Sequence, residues 1–539
     1  MADDIGSLDP RVRRFVMPTR VVWTQGEVDG VERLLAPDES ECVMQAEASL
    51  LLDFGRELHG GVRLTSPQAP KRPPLRVRIR FGESASEAMG EPNNDHTIHD
   101  GEALVPWFGH TEVGNTGFRF VRIDLIDADT PLVLSAVQAV FLFRDVEALG
   151  SFECSDPLLN RIWQVGADTV HLCMQDLVWD GIKRDRLPWI GDLHPEAMVI
   201  STVFGHHPIV PATLDTVRGR TPLPAWMNGI SSYSLWWILI QRDWYRAHGD
   251  RAYLAEQRDY LVPLLAQVEA QVADDGCEHL EGHRFLEWPT STDPTAIDAG
   301  LQALVVLALR AGAELCRVLD DAHAAEQAEA VAARAAAYRR APTASKQANA
   351  LTVLAGMADA ADTNRQVLAC DPHRGLSTFY GYYVLQARAL AGDHAGCLDL
   401  LRAYWGGMLA MGATTFWEGF DIDWMPGSAP ITDLVPPGMR DIHADFGDFC
   451  YEGLRHSLCH GWAAGPTAWL TEHVLGLAPA APGYARLHVS PHLGDLDYAR
   501  GTLPTPHGVV AVSHERRRDD VVTRVEAPDG VEIVGPAMR

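Results

Sequence analysis

Apolar and polar positions come in short runs over the first 150 or so residues, at 21–23, 49–54, 61–64, 75–81, 118–125 and 133–143. Turn-forming clusters separate them, among them Ser66-Pro67-Gln68-Ala69-Pro70 and Glu91-Pro92-Asn93-Asn94-Asp95. Alternation puts every second side chain on one face of a strand, so short strands at this spacing predict an antiparallel sandwich or jelly roll. From Asp156 to about Gly476 the period lengthens. Leu301, Leu304, Val305, Ala308, Leu315 and Leu319 follow the i, i+3, i+4, i+7 spacing of one buried helix face. Residues 311–341 are rich in alanine, a strong helix former small enough for close helix packing. Breakers divide this region into roughly a dozen helical segments. After Pro479 strands return, at 485–489, 498–502, 509–514, 521–526 and 531–534.

The predicted architecture is a multidomain α+β chain. A β-sandwich covers residues 1–150, an (α/α)6 barrel of six inner and six outer helices covers 151–476, and a small β-sandwich covers 477–539. Such a barrel carries its active site at one end, among the loops that join its helices. No repeat of solenoid period is visible.

Composition narrows the partners. At 539 residues the chain exceeds one ordinary core, and 47% hydrophobic residues suffice for several. A net charge of −27 argues against a nucleic-acid or anionic-membrane partner. No run of apolar residues reaches the length of a membrane span, and the first residues are acidic with no apolar leader core. The expectation is a cytoplasmic protein, with homo-oligomer formation left open. The nine cysteines are scattered, with no CxxC pair, and read as buried thiols of a reducing compartment.

The densest chemistry lies in Trp179-Asp180-Gly181-Ile182-Lys183-Arg184-Asp185-Arg186-Leu187-Pro188-Trp189-Ile190-Gly191-Asp192. Three charges of each sign are interleaved with two tryptophans. Indole rings beside carboxylates and guanidinium groups suit a sugar, whose apolar face stacks while its hydroxyls take charge-assisted hydrogen bonds. A buried salt-bridge knot at a helix start fits the same residues equally well. Residues 413–424 place Glu418 between aromatic residues, in a setting suited to proton transfer or water activation. His460-Gly461-Trp462 opens the last long helix, Trp226 precedes another, and Trp288 lies in a loop. Asp95, His96, His99 and Asp100 read as a polar loop rather than a metal site, since no further Cys or His stands at ligand spacing. There is no GxSxG elbow, GxGxxG turn or Walker loop, hence no sign of a serine nucleophile or nucleotide cofactor.

In these segments the chain resembles the bacterial α-L-rhamnosidases of glycoside hydrolase family 78, over nearly its whole length. Residues 151–163 are similar to the family's entry into its helical barrel. Residues 413–418 resemble its G-A-T-T-x-W-E segment, and residues 460–466 its H-G-W-[SA]-A-G-P segment. Residues 474–508 are similar to its closing strand domain, and Asp53-Phe54-Gly55 with Phe118-Arg119-Phe120-Val121 to its upstream sandwich. The resemblance implies an inverting hydrolase that releases terminal α-L-rhamnose from a glycoside or oligosaccharide, with no metal or cofactor. It implies that Glu418 activates water. Counted back from Trp189 and Asp192, Asp185 stands opposite the family's general-acid Glu, one methylene shorter; counted forward from Asp180, Asp185 stands opposite the family's second Asp and nothing stands opposite that Glu. Glu196, one helical turn past Asp192, is the alternative acid or a further substrate contact. Asp180, Arg184, Asp192 and His460 would hold sugar hydroxyls, with Trp189, Trp226, Trp288 and Trp462 as apolar walls. Two other readings stay open: an (α/α)6 glycosidase or phosphorylase for another sugar, to which the altered acid motif and the polar residues 441–445 point, and a non-catalytic carbohydrate-binding relative.

Overall fold

A computed structural model describes residues 9–535, apart from 37–40, 69–70, 93–98, 128 and 519. The N-terminal strands form an antiparallel seven-stranded sheet in the order Arg11–Val16, Ala136–Arg144, Ser49–Ser66, Gly109–Leu125, Leu75–Gly82 and His99–Val105. Arg20–Gln25 pairs with Ser49–Ser66 off this path. A three-stranded sheet, Val28–Asp29, Cys42–Met44 and Leu132–Leu134, shares its core. Two predicted runs, 49–54 and 61–64, are one strand whose register slips twice against Gly109–Leu125. At Gly60, φ is +137° and a Cβ would lie 2.0 Å from the Val140 carbonyl oxygen, so only glycine fits between the strands. Conversely, the run at 133–143 divides at Ser135 between the two sheets.

A one-turn helix, α1 (Ala85–Met89), follows the strand Leu75–Gly82. The barrel helices are α2 (Pro157–Cys173), α3 (Ile190–Val203), α4 (Ile209–Arg220), α5 (Ser231–His248), α6 (Arg251–Ala270), α7 (Pro294–Val318), α8 (Ala322–Ala337), α9 (Lys346–Leu354), α10 (Ala360–Thr363, extended by a π turn), α11 (Gly381–Leu390), α12 (His394–Ala410) and α13 (Gly465–Trp469, likewise extended). The odd-numbered helices from α3 onward pack in a closed ring, α3–α5–α7–α9–α11–α13 and back to α3. The even-numbered ones form the outer layer. Asp156, Asp250, Asp293, Asp321 and Asp393 cap helix starts by accepting backbone N–H bonds, and Pro157 and Pro294 sit in first turns. By length and composition α7 could cross a bilayer, but it is an inner helix and Leu301, Leu304, Val305, Leu309 and Leu315 are fully buried in the barrel. Its apolar character is that of a core helix.

The C-terminal strands form two small sheets, and one corrects the sequence reading. Ser151–Cys154, expected to open the barrel, pairs antiparallel with Tyr498–Thr505. The chain thus contributes a strand to the last sheet before its first barrel helix begins. Four residues with two buried side chains carry too weak an alternation to reveal a partner some 350 positions away in sequence.

Candidate active site

The connections that run from outer to inner helices converge at the N-terminal ends of the inner ring. There they enclose a cavity of about 240 Å3, lined by Asp180, Arg184, Asp185, Trp189, Asp192, Ile230, Tyr233, His283, Phe285, Trp288, Glu418, Arg455, His460 and Trp462. A cleft between the sheet domain and α2 is larger, at about 440 Å3. Chemistry rather than volume distinguishes the smaller one, because four carboxylates face it.

The α2–α3 connection closes on itself. Asp180 N donates to the Leu187 carbonyl and Leu187 N donates to Asp180 Oδ1, both at 3.0 Å. Within this loop Asp185 and Arg186 both have φ of +53°, a conformation uncommon for residues with a Cβ and costly unless the surroundings impose it. The kink turns Asp185 outward, leaving its side chain 40% exposed with Oδ1 3.9 Å from Arg184. Arg184 points inward. Its Nε donates to the Arg455 carbonyl at 2.5 Å and its Nη2 pairs with Glu418 Oε2.

Glu418 is buried. Its Oε2 also accepts from Ser457 N at 3.2 Å, while its carbonyl accepts from Thr378 Oγ1 at 2.6 Å and Trp462 Nε1 at 2.9 Å. Trp462 stacks on Phe379 with centroids 4.9 Å apart. Asp192, in the first turn of α3, accepts from Tyr233 OH and from His460 Nε2, each at 3.1 Å. Burial pulls the His460 pKa down, but the Glu418 charge, the Asp192 hydrogen bond and the nearby Asp180 raise it above the ordinary histidine value. Burial pushes the Asp192 carboxyl up and the Asp180 carboxyl well up, while the nearby His460 pulls both the other way.

Two residues expected at the site lie elsewhere. Glu196 is buried behind the His460-Gly461 turn, where a Cβ on Gly461 would stand 1.7 Å from Glu196 Oε1. Its carboxyl is pushed well up, by burial first and then by Cys173, Asp192 and Asp180, but the Gly461 backbone stands against it and it does not line the cavity. One helical turn past Asp192 points into the packing against the chain before α13. Trp226 packs over Gly282, and Ile230 and Tyr233 line the wall instead. Of the predicted polar loop, Asp95 and His96 fall outside the described residues, and His99 Nε2 donates to the Lys183 carbonyl at 3.1 Å.

Sequence reasoning passed over Tyr233, His283, Phe285, Arg455 and Ser457. Tyr233 had one signal, a hydroxyl-bearing ring in the first turn of an inner helix. Arg455 and Ser457 act through backbone groups, which any residue carries.

Comparison with known proteins bears on the family of the chain. The family model for the bacterial alpha-L-rhamnosidase 6 hairpin glycosidase domain matches residues 147–370, and that for the bacterial alpha-L-rhamnosidase C-terminal domain matches residues 476–534. Glu418 and His460 lie between the two matches. An alpha-L-rhamnosidase of Alteromonas sp. (strain LOR) is 24% identical over 91% of this chain and 56% of its own length. The crystal structure of the GH78 rhamnosidase of Bacillus sp. GL1 superposes with a TM-score of 0.74 at 25% identity, over 94% of this chain and 55% of that one. The Streptomyces avermitilis alpha-L-rhamnosidase complexed with L-rhamnose shares the fold, with a TM-score of 0.72 at 19% identity over 97% of this chain and 50% of its own. The chain thus spans little more than half the length of these relatives. Two domain models of one family, together covering more than half of the chain in the order its fold requires, place it among the bacterial α-L-rhamnosidases of glycoside hydrolase family 78.

Proposed function

We propose that this chain is an inverting glycoside hydrolase that releases terminal α-L-rhamnose from a glycoside or oligosaccharide. One observation carries the reading: a buried, clamped carboxylate, Glu418, and an exposed one, Asp185, face the same cavity. A leaving group must depart through the open side, where an acid can follow it. The attacking water must be held on the closed side. Asp185 gives its proton to the glycosidic oxygen as the C1–O bond breaks. Glu418 takes a proton from water as the new bond forms on the opposite face of the sugar, which inverts C1. Asp180, Asp192 and His460 hold hydroxyls, with Trp189, Trp288 and Trp462 against the ring. None of these steps calls on a metal or organic cofactor.

A cytoplasmic setting, with small glycosides as substrates, belongs to the same proposal. Its support is that all eight cysteines described are free and seven are buried. Activity found mainly in culture medium without cell lysis would contradict it. The central test is proton NMR of the anomeric signal during the first minutes of hydrolysis of an aryl α-L-rhamnoside. The β-anomer should appear first; the α-anomer appearing first would remove the inverting pair.

A further inference from the structure

The densest chemistry outside the cavity is a buried charge cluster where the seven-stranded sheet meets the barrel. Glu57, Glu83 and Glu87 come from the sheet domain and α1, Lys183 from the α2–α3 connection, and all four are buried. Lys183 Nζ stands 3.1 Å from Glu83 Oε2 and 3.2 Å from Glu87 Oε1, and donates to the carbonyls of Leu454 at 3.0 Å and His456 at 2.7 Å. Glu83, Glu87 and His443 are close enough to share a cation. The ammonium of Lys183 plays that part, because both His443 nitrogens are engaged: Nε2 donates to the His456 carbonyl at 2.9 Å, so Nδ1 accepts from Ser84 Oγ at 2.7 Å.

Residues 454–458 form a strap read from two sides. The Leu454 and His456 carbonyls bind Lys183, and Leu458 N donates to Glu83 Oε2 at 2.6 Å. The intervening groups turn the other way: the Arg455 carbonyl binds Arg184 and Ser457 N binds Glu418. Lys183 and Arg184 divide likewise, one reaching into the sheet domain and its neighbour reaching Glu418. Gly419 N, next to Glu418, donates to His456 Nε2 at 2.8 Å. Two partners of the Glu418 carboxylate therefore sit on backbone that the cluster pins. A buried ammonium is tolerated only where carboxylates and carbonyls surround it, as they surround Lys183 here.

We infer that Lys183 is a positioning residue: clamped by Glu83 and Glu87 of the sheet domain, it sets the 454–458 strap and Arg184, and through both the carboxylate of Glu418. The inference rests on the proposed role of Glu418. It makes the N-terminal domain part of the apparatus that orients the general base.

The test compares Lys183→Met and Glu418→Ala with wild type on an aryl α-L-rhamnoside, with and without sodium azide. Azide attacks C1 with its own lone pair, forming a C–N bond as the C1–O bond breaks, and needs no base to deprotonate it. Lys183→Met should lower kcat by about tenfold to a hundredfold, the scale of a small misplacement at a reacting centre. KM and L-rhamnose affinity should change by less than about threefold, which marks an interaction felt mainly in the transition state. Azide should restore turnover to both variants and yield the rhamnosyl azide. Wild-type rate in Glu418→Ala would overturn the base assignment itself. With that assignment intact, a wild-type kcat in Lys183→Met overturns the positioning role alone, as does a loss that azide repairs only in Glu418→Ala. Should Lys183→Met fail to fold, Glu83→Gln, which keeps the side-chain volume and removes the charge, carries the same comparison: a smaller, azide-restored loss supports the inference and an unchanged kcat overturns it.

Discussion

The two carboxylates of the site are held in opposite ways. Asp185 stands on a self-closed loop with two consecutive left-handed residues, its side chain 40% exposed and 3.9 Å from the Arg184 guanidinium. Glu418 is buried, and side chains or backbone of four residues fix its carboxylate or its carbonyl: Arg184, Ser457, Thr378 and Trp462. The contrast follows from their tasks. A proton donor must meet leaving groups of different shapes, and exposure serves that. A base must aim one water at one carbon, and there a misplacement of about 1 Å can cost a hundredfold.

The largest effect should come from the clamped side. Glu418→Gln keeps the volume and loses the base, and kcat should fall by about 10² or more in a folded protein, the scale of a lost acid or base. Steady-state kinetics with a circular-dichroism check settle it, and near wild-type hydrolysis would remove Glu418 from the mechanism. On the open side the loss should depend on the substrate. Asp185→Asn should lower kcat/KM by about 10² on a poor leaving group and far less on an activated aryl glycoside, which departs with little protonation. Equal losses on both would make Asp185 a binding residue and erase the contrast.

Smaller effects probe the packing behind the clamp. Gly461→Ala would set a methyl 1.7 Å from Glu196 Oε1, and overpacking of this kind costs about 1–3 kcal/mol. A denaturant titration of Gly461→Ala, Glu196→Ala and the double variant should show strong coupling, with the double variant recovering part of the loss; additive losses would mean that the two do not press on each other. The smallest expected effect is a slope. Burial pushes the Glu287 carboxyl up to about 8 against the hydrogen bond from Ser377, the neighbour of Thr378. A raised acid favours the folded protein while it is protonated, so this contribution is full below the ordinary carboxylate pKa and is lost as pH rises through about 8. Glu287→Gln cannot ionise, so its Tm relative to wild type should rise between pH 5 and 9, and a constant difference would place the titration elsewhere.

Much of the fold was legible because it depends on period. The long apolar face of α7 and the alternating strand Leu75–Gly82 announce themselves within a short stretch of chain. The two strand runs that merged at Gly60, and the strand at Ser151–Cys154 that joined the last sheet, were hidden because pairing partners lie far away in sequence. The site divides along the same line. Asp180, Arg184, Asp185, Trp189 and Asp192 cluster within thirteen residues, and their mixture of charge and ring stands out in any window. Glu196 and Trp226 looked eligible on the same local grounds and were turned away from the cavity by packing against Gly461 and Gly282.

By itself the sequence determined the order of strand, helix and strand regions, the residue types available for proton transfer, and the family to which they belong. Those properties are local, set by side-chain period and short motifs. Only the tertiary structure decided which carboxylate is buried and which exposed, that Arg184 reaches Glu418, and that Lys183 is held by glutamates a hundred residues earlier. Burial and charge pairing are sums over neighbours brought together by folding, and the backbone groups of residues 454–458 that complete the arrangement carry no signature in the amino-acid sequence at all.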